Sequence, residues 1–246
     1  MCIQNNDWHG YAREDFQLDG VDCILVRPKT PASGNPWLWR ARFWGVEPQT
    51  EVALLSKGFY LAYIDVADLF GSPKAVARFD RLYDHLTTNH GLSTKPALMG
   101  FSRGGLIIYN WAANNPDKVS CIYADAPVCD VKSWPGGKGT SPGSPESWAK
   151  CQLAYEMTES QLMAWQGNPL NHVQALVTAG IPVLHVCGDV DVTVPISENS
   201  DLLIGEYLKL GGQAEYIHKP DCGHHPHSLV DPTPIVTFIL KHTIGL

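Results

Sequence analysis

Ser102 lies in GFSRGG, with Gly100 two residues before it and Gly104 two residues after. A serine hydroxyl is a weak nucleophile by itself, so chemistry at Ser102 needs a base to take its proton and a carboxylate to orient that base. Both residue types lie downstream. GDVDVTVP offers Asp189 and Asp191, and DCGHHPHSLVDP offers His224, His225 and His227. A nucleophile, an acid and a base of these types would support acyl transfer through a covalent serine intermediate.

Within each stretch the spacing ranks the candidates. Asp191 stands three residues past Gly188 and four before Pro195 and is the preferred acid, whereas Asp189 reads as a turn former through its own backbone hydrogen bonds. Asp125, in YADAP, is a second candidate acid or else a residue that orients cap or substrate; Asp130 ranks below it. His224, directly after Gly223, is the preferred base, with His225 next. Three close histidines also raise the question of a metal. No spaced cysteine or carboxylate set accompanies them, and Pro226 breaks any helical i, i+4 ligand pair, so neither a metal nor a cofactor is expected.

These groups can act together only if the chain between them folds to bring them to one place. REDFQL and VDCILV, separated by Asp19-Gly20, read as an opening hairpin. PWLWRARFW, FYLAYIDV, PALMGF, VSCIYADAP, IPVLHVCGD and QAEYIHKP read as further strands. Helices are predicted in TEVALLSKG, from about 73 to 91, in RGGLIIYNWAANNP, and near 171–179, 197–210 and 233–242. Strands alternating with helices argue for an α/β fold, a mostly parallel sheet covered by helices on both faces. Residues 128–170 break the rhythm with SWPGGKGTSPGSPESW and two short helical patterns, and read as a small cap inserted into a single domain spanning 1–246. Ser102 then falls on the turn between strand PALMGF and the following helix. There the flanking glycines let backbone approach closely and the hydroxyl emerges at the carboxyl end of the sheet.

Composition limits the partners. The charge of 18 − 25 = −7 is spread without long runs, which excludes a general nucleic-acid footprint. No apolar run reaches 18 residues, so no membrane partner is expected, and MCIQNNDWHGY shows no export signal. The compartment and the choice between monomer and small homo-oligomer are open at this point. Seven cysteines have no C-x-x-C pair; Cys129 and Cys151, flanking the Gly/Pro-rich stretch, are the first pair to test for a disulfide.

With strand-GFSRGG-helix, GDVDVTVP and GHHPHSL in that order, the chain resembles the α/β-hydrolase superfamily over nearly its whole length. The resemblance implies an eight-stranded, mostly parallel sheet with a cap after the sixth strand, and a Ser102–Asp191–His224 triad that forms and hydrolyses an acyl-enzyme. It also implies an oxyanion hole with the Arg103 N–H as one donor and the N–H of Arg42 or Phe43 as the other. The His-Gly pair of many members is missing from WLWRARFWG, which argues against copying a lipase's substrate preference.

The remaining candidates concern substrate. Arg40, Arg42 and Arg103 fall where the fold would bring guanidinium forks near the nucleophile, suited to an anionic group or else paired with local acids such as Asp65, Asp68 or Asp125. Trp37, Trp39, Phe43, Trp44, Phe70, Trp134 and Trp148 would place flat rings near the mouth, with Trp37 and Trp39 also readable as core. The expected substrate is a small-molecule or glycan ester that is polar, anionic or carbohydrate-linked; a serine peptidase is the alternative, and a non-catalytic binding module ranks last.

Overall fold

The computed structural model describes residues 4–245, so Cys2 lies outside the described residues. Strands β2 (Tyr11–Leu18) and β3 (Val21–Arg27) form the predicted hairpin. Asp19 and Gly20 between them both have positive φ, 50° and 77°, as a tight primed turn requires. Ahead of them lies a strand that the sequence pattern does not announce, β1 (Gln4–Trp8), paired antiparallel to β2. QNNDW has no apolar alternation; backbone pairing along the sheet edge is enough to hold it extended.

The rest alternates as predicted: β4 (Trp37–Ala41), α1 (Gln49–Ser56), β5 (Tyr60–Ile64), α2 (Pro73–Asn89), β6 (Ala97–Phe101), α3 (Gly104–Asn114) and β7 (Cys121–Asp125). After these come α4 (Pro145–Tyr155), α5 (Glu159–Ala164), α6 (Pro169–Thr178), β8 (Val183–Gly188), α7 (Ser200–Lys209), β9 (Ala214–Lys219) and α8 (Thr233–Ile244). The sheet has nine strands in the order β1-β2-β3-β5-β4-β6-β7-β8-β9, parallel from β5 to β9. The expected count of eight is therefore corrected to nine, and the irregular segment follows the seventh strand rather than the sixth, because β1 is added at the edge.

Strands β4 to β8 are buried at every position, the signature of a sheet covered on both faces. Successive side chains of each strand feed opposite layers. Trp37, Trp39 and Leu98 pack with Phe79, Trp111 and Tyr207 of α2, α3 and α7. Leu38, Met99 and Phe101 pack with Leu54, Leu55, Ile235 and Phe238 of α1 and α8. Trp39 lies flat on Phe79 at 4.1 Å between ring centroids, so Trp37 and Trp39 are core rather than pocket residues.

The segment between β7 and α6 carries its own apolar cluster, in which Val128, Val131, Trp148, Cys151 and Leu162 pack on Phe70, Leu106 and Val194. Tyr155 ties it down by donating to the Phe70 carbonyl at 2.8 Å, and Glu198 accepts from Ser133 at 2.6 Å. Cys129 and Cys151 are both free thiols in different apolar clusters, so the disulfide they suggested is absent. Burial pushes the Cys151 thiol up to about 12. Among the described residues no helix is long and apolar enough to cross a membrane.

Candidate active site

β6 ends at Phe101, α3 begins at Gly104, and Ser102 makes the turn between them with φ at +50°. A left-handed serine costs about 1–3 kcal/mol and persists only where its surroundings fix it. Here the Ser102 N–H donates to the Asp125 carbonyl at 2.9 Å, and the Ser102 carbonyl accepts from the N–H groups of Gly105 and Val128, both at 2.9 Å. The glycines make room for this turn. A Cβ at Gly100 would lie 2.6 Å from the Gly104 carbonyl oxygen, and one at Gly104 would lie 2.6 Å from that of Ala41. Both distances are below what any real Cβ tolerates, so the tight strand–helix approach requires glycine at each position.

The candidate acid and base lie on the loops after β8 and β9. These loops interlock through Asp189 N–H to the Lys219 carbonyl (3.1 Å) and Val190 N–H to the Cys222 carbonyl (3.0 Å). The interlock sets His224 between the other two groups: its Nε2 is 3.0 Å from Ser102 Oγ and its Nδ1 is 2.6 Å from Asp191 Oδ2. The Asp191 carboxylate is wholly buried, and its Oδ1 accepts from the N–H groups of Thr193 (2.8 Å) and Val194 (2.9 Å). With both its oxygens facing donors, Asp191 fixes the Nδ1–H tautomer of His224 and leaves the Nε2 lone pair toward the serine hydroxyl. Asp189 instead meets the exposed His218 at 2.6 Å, and Asp130 accepts from the Lys132 N–H at the start of the cap segment.

A second buried pair lies beside the first. Asp125 Oδ1 faces His227 Nδ1 at 2.8 Å, and its Oδ2 accepts from the Tyr123 hydroxyl and the Ser228 N–H, each at 2.8 Å. Asp125 has no exposed surface and all these donors point at it, which corrects its reading as a substrate contact. It ties the end of β7 to the loop that carries His224, and His227 closes the tie by packing on Phe101 at 4.9 Å. The sequence offered no signal for this pairing, because 102 residues separate the partners. His225, the second choice for the base, is exposed; partial desolvation of its ring and its two histidine neighbours lower its pKa.

The three arginines separate. Arg40 is fully buried on the α1 side of β4, where it pairs with Glu51 at 2.5 Å and lies 3.9 Å over the Phe101 ring. It also donates to the carbonyls of Arg42 (3.0 Å), Phe43 (2.8 Å) and Val46 (3.0 Å). Arg40 is thus a strut for the loop after β4, out of reach of any substrate, and that earlier reading is corrected. Arg42 and Phe43, which Arg40 holds, both have positive φ, 67° and 48°. The Arg42 Cβ comes within 3.8 Å of where a Cβ on Gly104 would sit, which places this loop against the serine turn. Arg42 Nε is buried with no hydrogen-bond partner. Arg103 pairs with Asp68 at 3.1 Å and has Phe43, Phe70 and Trp134 around its guanidinium at 5.5–5.7 Å. Trp44 packs instead against Trp8 at 5.2 Å and Tyr63 at 5.6 Å, away from this group, so it is not a pocket residue.

No protein-family model and no curated protein matches this chain. Solved structures do. A protein described as a dipeptidyl aminopeptidase IV from Bacteroides ovatus aligns over 98% of this chain and 35% of its own, with 14% identity and a TM-score of 0.69. An acylaminoacyl peptidase from Pyrococcus horikoshii aligns over 99% of this chain and 42% of its own, with 11% identity and a TM-score of 0.69. A membrane phospholipase A described as a bacterial virulence factor covers 92% of this chain and 81% of its own, with 15% identity and a TM-score of 0.56. The chain therefore spans less than half the length of the two peptidases. Its mostly parallel sheet, its strand–serine–helix turn and these neighbours agree on one architecture: this chain has the α/β-hydrolase fold.

Proposed function

We propose that this protein is a serine hydrolase that cleaves a carboxylic ester of a polar, anionic substrate, such as a charged or carbohydrate-linked ester, through an acyl-enzyme. The observation that carries the reading is the continuous relay from Asp191 through His224 to Ser102 at 2.6 and 3.0 Å. Ser102 Oγ attacks the ester carbonyl as His224 Nε2 takes its proton. The same proton then goes to the departing alkoxide, and the acyl group stays on the serine. Water, deprotonated by His224, attacks the acyl carbon; the bond to Ser102 Oγ breaks as the proton passes from His224 to that oxygen, which releases the acid and restores the enzyme.

The negative charge on the tetrahedral oxygen needs two donors. Arg103 N–H, at the start of α3, is the first. For the second, the Arg42 carbonyl is drawn toward Arg40, and in a planar trans peptide the next N–H points the opposite way. Phe43 N–H is therefore favoured over Arg42 N–H. The preference for an anion is supported by Arg42, whose Cβ lies against the serine turn and whose Nε has no hydrogen-bond partner, and by Arg103, which pairs with Asp68 within its three rings. The peptidase reading has support of its own in the likeness to the two peptidases, and the acyl-enzyme chemistry serves an amide equally well.

A panel of p-nitrophenyl esters, neutral and carboxylate-bearing, set against peptide anilides tests the proposal. Ester turnover is expected, with KM for the anionic member raised about tenfold by Arg42→Ala and the neutral ester unaffected. Turnover of the anilides alone would replace the esterase reading with the peptidase one.

A further inference from the structure

His224, His225 and His227 converge more tightly than their order in the sequence suggests. Their rings stand mutually edge-on, with centroids 4.9, 5.1 and 4.7 Å apart and interplanar angles of 75°, 81° and 76°. One potential ligand atom from each lies within 4.8 Å of the other two. Two of the three are also oriented as metal-binding histidines usually are, with one ring nitrogen held by a carboxylate. His224 has Nδ1 on Asp191 and His227 has Nδ1 on Asp125, so each keeps Nε2 as its only open donor. His225, at the exposed end, gives an ion a way in from solvent.

We infer that His224, His225 and His227 form a site for a divalent transition-metal ion of the zinc type, and that filling it switches the hydrolase off. The second half rests on the proposed roles of Ser102 and His224. Three imidazoles suit zinc, copper or nickel, and three protein ligands on zinc leave the fourth position open to water or to the Ser102 hydroxyl. Zn–N bonds of 2.0–2.1 Å set the nitrogens about 3.3–3.4 Å apart in a tetrahedron. The cluster must therefore contract, and His225 is the member free to move inward. Because His224 Nδ1 is committed to Asp191, the ion can reach that ring only through Nε2, the lone pair that otherwise receives the serine proton. Metal and general base are then mutually exclusive: the bound ion removes the acceptor for the Ser102 proton, and chelation restores it. The lack of a cysteine or carboxylate set in the sequence argued against this site. The fold supplies the carboxylates as orienting partners instead of ligands.

Zn2+ titrated into the protein against a chromophoric chelator, with Ser102 reactivity followed in parallel by a fluorophosphonate probe, tests the inference on wild type and His225→Ala. One Zn2+ per chain is expected, with affinity at least tenfold weaker in His225→Ala. Zn2+ should suppress probe labelling of the wild type in proportion to occupancy and reversibly with EDTA, while the variant labels normally and ignores the same Zn2+ concentration. Equal affinity in the variant, or full occupancy without loss of labelling, would overturn the site or its inhibitory effect respectively. Failure to label Ser102 in metal-free protein would remove the hydrolase reading, and the zinc count and its dependence on His225 would still decide the site.

Discussion

Two buried aspartates, each against a histidine on the same loop, should differ in what the same substitution does to turnover. In Asp191→Asn the amide oxygen can keep the Thr193 and Val194 N–H groups, which places the NH2 toward His224 Nδ1 in place of the oxygen now 2.6 Å away. That NH2 donates, Nδ1 must accept, and the ring proton moves to Nε2, so Ser102 faces an N–H where it needs a lone pair. A misplaced tautomer of this kind lowers turnover by about 10⁴, or about 5.5 kcal/mol of barrier, while the backbone bonds survive and the fold stays within about 1 kcal/mol of wild type. Asp125→Asn permits the same rearrangement: its amide oxygen keeps the Tyr123 hydroxyl and the Ser228 N–H, and its NH2 faces His227 Nδ1 in the other tautomer. The fold should hold there too, and because His227 does not touch Ser102 Oγ, turnover should stay near that of wild type. Steady-state ester turnover and thermal melts on both variants separate the two roles. A well-folded Asp191→Asn with near-normal turnover, alongside an inactive but stable Asp125→Asn, would refute the assignment and move the acid to β7.

His185 gives a pH test of the core: it is fully buried between the Tyr109 hydroxyl (2.6 Å) and Ser200 Oγ (2.9 Å), and burial pushes its pKa down to about 3. The unfolded chain therefore takes up a proton below about pH 6.5 that the folded chain refuses, and stability should fall by about 1.4 kcal/mol per pH unit from there toward pH 3; urea midpoints should flatten in His185→Gln, and an unchanged slope would clear His185 of the effect. Gly104→Ala would drive a Cβ to 2.6 Å from the Ala41 carbonyl oxygen, costing about 1–3 kcal/mol and lowering kcat by displacing the loop after β4; a variant as stable and active as wild type would mean that strand and helix are not locked at this point.

Much of this architecture was legible because period and punctuation agree. Asp19-Gly20 specifies its turn by backbone conformation, Pro73 opens α2, and Gly58 stands after α1 with φ at +88°, where a Cβ would collide with Ala32. The order of GFSRGG, GDVDVTVP and GHHPHSL drew Ser102, Asp191 and His224 out of the sequence, since each stretch follows a strand and the loops after parallel strands gather at one end of the sheet. What stayed hidden depends on side-chain direction and long-range pairing. Arg40 and Arg42 are two residues apart on an extended segment, yet one points into the α1 layer against Glu51 and the other, past the strand end, lies on a left-handed turn. Alternation alone would have put both on one face, and the change of backbone conformation at Arg42 is what separates them. Trp44 was read as a mouth residue because it is aromatic and near in sequence, but the unannounced strand β1 supplies Trp8 as its packing partner. The Asp125–His227 tie had no local motif at all.

Hydrolysis at this site depends on the reactivity of one hydroxyl. Incubating the folded, metal-free protein with a fluorophosphonate and mapping the adduct by peptide mass should find a single modified residue, Ser102, with labelling reduced by orders of magnitude in His224→Ala; an unmodified Ser102 in folded protein, or an adduct formed equally well without His224, would contradict it.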